Sequence, residues 1–228
     1  MIAPATIISL RGWFMFFNDR RDAGKRLQEK LLHYRNCPGA VVIGLPRGGV
    51  PVAYEVAKGL DLPLDITCPH KIGAPFNPEY AIGAITEHGE GIFNEEVIKR
   101  LGISKEYLAR EVKERTREAR ERLQVYRNDP RPREVKGETV ILVDDGLATG
   151  STMKAAISSM REEGAARIVV AIPVSPPETL YEIERLADEV ICLYAPENFA
   201  AVGQFYREFS ATSDEEVIEL LRERSISG

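Results

Sequence analysis

The chain has 228 residues, 44% of them hydrophobic and 29% charged, which suits a globular protein with one substantial core and excludes a disordered or fibrous chain. A formal net charge of -5 gives no electrostatic case for binding nucleic acid. The three cysteines (Cys37, Cys68, Cys192) form no CxxC pair and the three histidines (His33, His70, His88) lack metal-ligand spacing, so reduced thiols in a cytoplasmic protein are expected, without a disulfide or zinc framework.

Residues 1–17, MIAPATIISLRGWFMFF, are apolar but broken by Arg11 and Gly12, with no basic segment ahead of them. The longest uninterrupted run falls short of the roughly 20 residues a membrane-spanning helix needs, so no membrane anchor or signal peptide is expected. The stretch reads as an N-terminal extension, with Met15 an alternative start, ahead of a single domain over residues 18–228. If ordered, the extension has to pack on something, and a neighbouring subunit is the expected surface. Residues 19–34 predict an amphipathic helix with Ala23, Leu27, Leu31 and Tyr34 on one face. Arg20, Arg21, Lys25, Arg26 and Lys30 occupy the rest and read as solvated, and Asn36, Pro38 and Gly39 end the helix.

Residues 40–60, AVVIGLPRGGVPVAYEVAKGL, read as a short strand through Ile43, a loop, and a helix burying Val52, Val56 and Ala57. The loop Gly44-Leu45-Pro46-Arg47-Gly48-Gly49 is neither a Walker A loop nor GxGxxG. Its adjacent glycines let backbone N–H groups approach an anion, and Arg47 adds a charge. Residues 61–70 suggest the next strand, and Lys71 to Glu79, dense in turn residues, reads as a mobile loop. Tyr80 to Thr86 and Gly91 to Asn94 suit the two strands of a hairpin around His88-Gly89-Glu90-Gly91. From Ser104 to Arg127 runs a long helix with a narrow apolar stripe (Leu108, Val112, Ala119, Leu123, Tyr126) and i, i+4 charge pairs such as Glu106 with Arg110. It suits a projecting, salt-bridged surface helix or a dimer contact. Asn128, Pro130 and Pro132 form a linker.

The stretch VILVDDGLATGST, residues 140–152, organises the rest. Val140 to Val143 fit a buried parallel strand, and Met153, Ala156, Ile157 and Met160 repeat at helical spacing. Between them lie Asp144, Asp145 and a loop of small hydroxyl residues. Ligands of open α/β sheets bind at the carboxyl ends of strands, and a helix N-terminus attracts phosphate. One ligand then satisfies both halves: a phosphate on Ala148, Thr149, Gly150, Ser151 and Thr152, and cis hydroxyls or a metal on Asp144 and Asp145. Residues 165–174 and 189–194 read as further strands, with a capping box and a first-position proline in Ser175-Pro176-Pro177-Glu178 and a second capping box at Ser213 and Glu216. The alternation of strand and helix predicts an α/β fold with a parallel sheet and right-handed crossovers.

Two adjacent carboxylates after a hydrophobic strand and before a Thr-Gly-x-Thr loop resemble the phosphoribosyl-diphosphate (PRPP) motif of the type I phosphoribosyltransferases. FNDRRDAGK, GLPRGGVPVA, HKIGAPFNPEYAIGA, VDDGLATGSTM and PENFAAVGQFY together resemble a group of such enzymes whose acceptor is unassigned. The resemblance implies a mostly parallel sheet flanked by helices, with a small hood and flexible-loop subdomain whose hood elements span about residues 195–210. It implies Mg²⁺-dependent transfer of ribose 5-phosphate from PRPP to a heterocyclic base or other small nitrogen acceptor; a homodimer is expected beside it. Asp144 and Asp145 would hold the metal and ribose hydroxyls, and Pro46, Arg47, Gly48 and Gly49 the diphosphate, with a cis Pro46–Arg47 peptide. Lys71 would reach the diphosphate from the flexible loop, unless it is an ordinary surface lysine. Phe199 and Ala200 would meet the base, unless Phe199 is a core residue under a loop.

Ala148 departs from the hypoxanthine-guanine enzymes, which carry an aspartate there as a candidate base; either the acceptor nitrogen is already deprotonated or nucleophilic, or another group such as Glu79 or Glu87 helps, or no transfer occurs. No lysine near Val174 and Ser175 matches the one those enzymes use to hold an exocyclic oxygen. A binding protein that senses PRPP or a nucleotide without turnover therefore stays open as an alternative, as does a metal-dependent phosphate-ester hydrolase using Asp144 and Asp145.

Overall fold

A computed structural model describes residues 6–7, 16–85, 89, 91–127 and 134–224. Six strands, β1 (Thr6–Ile7), β2 (Ala40–Gly44), β3 (Leu64–Ile66), β7 (Thr139–Val143), β8 (Arg167–Val174) and β9 (Glu189–Tyr194), form one sheet in the order β1-β9-β8-β7-β2-β3. Every pairing in it is parallel. A second sheet, β4 (His70–Ala74), β5 (Asn77–Ile85) and β6 (Gly91–Phe93), is antiparallel.

Alternate side chains of the central strands divide the core. Val42, Ile141, Val143, Val169 and Ile191 face Leu27 of α1 (Arg20–Lys30), Val52, Val56 and Leu60 of α2 (Gly49–Leu60), and Val217 and Leu220 of α7 (Asp214–Arg224). Val41, Ile43, Val140, Leu142, Ile168 and Val170 face Met153, Ile157 and Met160 of α5 (Ser151–Glu162) and Leu180 and Ile183 of α6 (Pro177–Glu184). Strands covered on both faces need apolar residues at every position, which is why 140–143 carries a continuous run rather than an alternation.

The small sheet builds its own core from Ile72, Ala74, Ile82, Ile85 and Ile98, with Ile98 supplied by α3 (Glu95–Arg100). The long helix α4 (Lys105–Tyr126) lays Tyr107, Leu108 and Val112 against this cluster and buries Ala119, Leu123 and Tyr126 in the main core. Ser104 caps it by accepting from the N–H of Tyr107 at 3.2 Å. At its other end the Arg127 guanidinium grips both carboxylate oxygens of Asp65, at 2.9 and 3.1 Å.

Three local expectations change. The stretch 71–80, read as a mobile loop, is mostly strand: Lys71 pairs with Ala84 and Ile72 with Gly83, and the turn residues are spent on one tight reversal between Ala74 and Asn77. Ser175 makes no capping box, because Pro176 is the N-cap of α6 and the Ser175 hydroxyl donates to the Pro176 carbonyl at 3.1 Å. In the N-terminal stretch, Thr6–Ile7 finds its pairing surface on Ile191–Cys192 of this same chain. Asn128, Pro130 and Pro132 lie outside the described residues, as do His88 and Glu90 of the expected hairpin tip. Among the described residues no helix is long and apolar enough to cross a membrane, and Cys37, Cys68 and Cys192 are not joined in disulfides.

Candidate functional site

Strands β2 and β7 are parallel neighbours, so their carboxyl ends, and the loops that follow, lie side by side at one edge of the sheet. The N–H of Leu45 donates to the Val143 carbonyl at 3.0 Å and ties the two loops at their roots. The Pro46–Arg47 peptide between them is cis. A Cβ added to Gly48 would fall 2.1 Å from Asp145 Oδ2, and one added to Gly49 would fall 2.9 Å from both the Cα and Oδ1 of Asp144. These are shorter than any packing of carbon on oxygen allows. The glycine pair, expected to admit an anion, is thus needed first to admit the two carboxylates. The Gly49 N–H is itself engaged within the loop, donating to the Leu45 carbonyl at 3.1 Å.

Asp144 accepts the N–H of Asp145 on Oδ1 at 2.9 Å. Burial, reinforced by the adjacent Asp145 carboxylate, pushes Asp144 well above the usual carboxylate range. Burial also raises Asp145, opposed by the Arg20 guanidinium, whose Nε donates to Oδ2 at 2.8 Å. The Tyr206 hydroxyl donates to the Asp145 backbone carbonyl at 2.6 Å. Among the described residues no third His, Cys, Asp or Glu joins a metal-binding group with the pair.

The next loop turns into α5 at Gly150, whose φ of 69° lies in the left-handed region that glycine enters without strain. The Thr179 hydroxyl holds the loop from α6, donating to the Ala148 carbonyl at 2.7 Å. Lys154 Nζ donates to the Thr149 carbonyl at 3.2 Å and pairs with Glu182. Thr149 Oγ1 and Ser151 Oγ lie 3.1 Å apart, and Ala148, Thr149 and Thr152 are exposed. Small hydroxyls therefore reach solvent at the N-terminus of α5, where the Ser151 N–H donates to Thr149 Oγ1 at 3.5 Å, and a helix N-terminus of this kind can take a phosphate.

The other expected residues are less uniformly placed. Arg47 lies 3.5 Å from Asp214 at the start of α7, an exposed pair that contributes little to stability and can exchange partners. Lys71 sits on β4, in the small sheet rather than among the main-sheet strand ends. Phe199 packs on Phe205, with ring centroids 5.4 Å apart, at the margin of the main core. The Ala200 N–H donates to Gln204 Oε1 at 3.0 Å, and Gln204 Nε2 donates to the Asn198 carbonyl, so this loop is held by its own side chain. The side chain of Glu79 and all of Glu87 lie outside the described residues. Arg20, Thr179 and Tyr206 were not singled out from the sequence as site residues. Their partners lie 125, 31 and 61 residues away, and only the FNDRRDAGK resemblance set Arg20 apart from a solvated helix face.

Comparison with known proteins adds to this geometry. The family model for the phosphoribosyl transferase domain matches residues 18–210. Two curated relatives from Mycobacterium tuberculosis, strains H37Rv and CDC 1551, each provisionally named a phosphoribosyl transferase, are 43% identical over 207 residues, 90% of this chain. The chain spans about half the length of those relatives, 46%. A crystal structure of TT1426 from Thermus thermophilus superposes with a TM-score of 0.83 at 43% identity, covering 92% of this chain and all of that one. A purine phosphoribosyltransferase from Pyrococcus horikoshii, at 20% identity and a TM-score of 0.43 over 83% of this chain and 98% of its own, is a distant likeness.

Proposed function

The chain belongs to the phosphoribosyltransferase family, and on that premise we propose that it moves ribose 5-phosphate from PRPP to a heterocyclic base or other small nitrogen acceptor, releasing diphosphate. The observation that carries this reading is the contact of Gly48 and Gly49 with Asp145 and Asp144, within reach of the phosphate-type N-terminus of α5. Three parts of one ligand, a diphosphate, a ribose diol and a 5′-phosphate, then meet three adjoining surfaces.

In the proposed reaction the acceptor nitrogen forms a bond to the anomeric carbon as the bond to the diphosphate oxygen breaks. Positive charge gathers on the ribose and negative charge on the leaving group, as in glycoside cleavage. Thr149 to Thr152 hold the 5′-phosphate on hydroxyls and helix N–H groups, fixing the ribose so that the acceptor meets its anomeric face. Arg47 leaves Asp214 for the departing diphosphate, and Asp144 and Asp145 face the ribose hydroxyls. No protein nucleophile is required.

The acidic pair fits a magnesium ion. Asp144 and Asp145 lie together against the glycine loop, and an ion that keeps several waters and takes few protein oxygens would need only such a pair of carboxylates. When bound, Mg²⁺ would supply charge to stabilise the departing diphosphate. The homodimer and the cytoplasmic location expected from the sequence belong to the same proposal, and light scattering reads the first.

A second reading, PRPP or nucleotide binding without turnover, is favoured by Ala148, which places a methyl group where an aspartate would exchange a proton. A diphosphate-release screen with PRPP, Mg²⁺ and a panel of purine and pyrimidine bases separates the two. Base-dependent release supports the transferase, and binding without release from any acceptor supports the sensor.

A further inference from the structure

Arg20 is the first residue of α1, yet its side chain is turned inward, with 12% exposed against 14% for Asp145. Nε donates to Asp145 Oδ2 at 2.8 Å, one terminal nitrogen donates to the Ser210 carbonyl at 2.6 Å, and the guanidinium carbon lies 3.9 Å from the centre of the Phe209 ring. Its Nε is also 3.2 Å from where a Gly48 Cβ would stand. One guanidinium therefore occupies the point where the Gly48 peptide, the Asp145 carboxylate and the C-terminal segment converge.

A contact that merely tied the start of α1 to residues 205–210 would be redundant there. The Phe17 N–H already donates to Phe205 at 2.8 Å, Arg207 donates to Phe17 at 2.9 Å and Glu208 to Asn18 at 2.9 Å, while Phe17 packs on Tyr206 with ring centroids 5.3 Å apart. What Arg20 adds is control of the carboxylate. Its bond engages Oδ2 of Asp145, while the N–H of Asp145 engages Oδ1 of Asp144. On the PRPP reading above, we propose that Arg20 is a positioning residue: it pins one oxygen of Asp145 against Gly48 and presents the other, Oδ1, to the ribose hydroxyls and their cation. Tyr206, holding the Asp145 carbonyl, fixes the backbone end of the same residue. The start of α1 and residues 206–210 are thereby both built into the proposed site, and Phe209 serves it by backing the guanidinium with its ring face.

Calorimetric titration of PRPP with Mg²⁺ into the wild type, Arg20→Ala and Arg20→Lys tests this. Loss of a charge-assisted hydrogen bond that orients the ligand's own partner should weaken PRPP binding about tenfold to a hundredfold in Arg20→Ala. Arg20→Lys should recover only part, since an ammonium cannot span Asp145 and Ser210 as the planar fork does. Guanidinium ion added at low millimolar concentration should restore part of the affinity of Arg20→Ala. In turnover the loss should fall on the KM for PRPP, whereas a purely structural defect would reduce the active fraction, and so kcat, and leave KM alone. If Arg20→Ala fails to fold, Phe209→Leu, which keeps the ion pair but removes the ring behind it, should show a smaller loss of the same kind, and unchanged PRPP affinity there overturns the assignment. Wild type that binds PRPP with Arg20→Ala binding equally tightly overturns the role of Arg20 alone. Wild type that binds no PRPP overturns the functional reading and this assignment with it.

Discussion

Replacing Gly48 by alanine isolates the contact on which the site depends. The backbone there is right-handed helical, with φ -60° and ψ -32°, so alanine meets no conformational penalty and by that measure alone would stabilise the chain by about 0.4–1 kcal/mol. The added methyl, however, would stand 2.1 Å from Asp145 Oδ2 and 2.9 Å from its Cγ. The short Asp145 side chain can clear it only by rotating away from Arg20, which gives up a partly buried charge-assisted hydrogen bond worth about 1.5–3 kcal/mol. The two terms together predict a net destabilisation of about 1–2 kcal/mol, read as a lowered urea midpoint with an unchanged slope. PRPP affinity should fall by a larger factor than stability suggests, because the displaced carboxylate is the one facing the ligand. Gly48→Ala with wild-type stability and wild-type PRPP affinity would refute the packing of the glycine loop on the acidic pair.

Asp144→Asn should have opposite effects on stability and binding. Because burial raises the folded carboxyl, Asp144 contributes stability below the usual carboxylate value of about 4 that is lost as pH rises through its higher folded value. The amide should therefore raise the urea midpoint at pH 7 but not in acid, while PRPP binding in Mg²⁺ falls severely; a lowered midpoint at pH 7 would contradict the sign. Thr179→Val is nearly isosteric and removes the hydroxyl that holds the Ala148 carbonyl, so PRPP affinity should drop about fivefold for the ~1 kcal/mol of one hydrogen bond. Ribose 5-phosphate should lose affinity by the same factor and inorganic diphosphate by none, as competition assays would show.

The main sheet was legible because doubly covered strands announce themselves as continuous apolar runs, and 140–143 and 168–172 have no other way to be buried. The two candidate site loops stood out for a related reason: adjacent carboxylates and adjacent glycines at strand ends are costly or pointless without a partner. That the glycines serve the carboxylates directly was not legible, since it depends on β2 and β7 being neighbours. The hairpin of Tyr80 to Thr86 with Gly91 to Asn94 was legible, but the strand 70–74 and the start of the next were obscured by Pro75, Pro78 and Gly73, and their core of Ile72, Ala74, Ile82 and Ile85 is too small to impose a clear period. Arg20 was the most consequential omission. On a helix already rich in arginine and lysine, nothing in spacing distinguishes the one cation that turns inward to a carboxylate 125 residues away.

Calorimetric titration of PRPP into the wild-type protein, with and without Mg²⁺, asks whether these strand ends form a PRPP site. Saturable binding that tightens with Mg²⁺ and is abolished in Asp144→Asn/Asp145→Asn is the predicted result. Absence of PRPP binding in either condition, or binding indifferent to the double substitution, would contradict it.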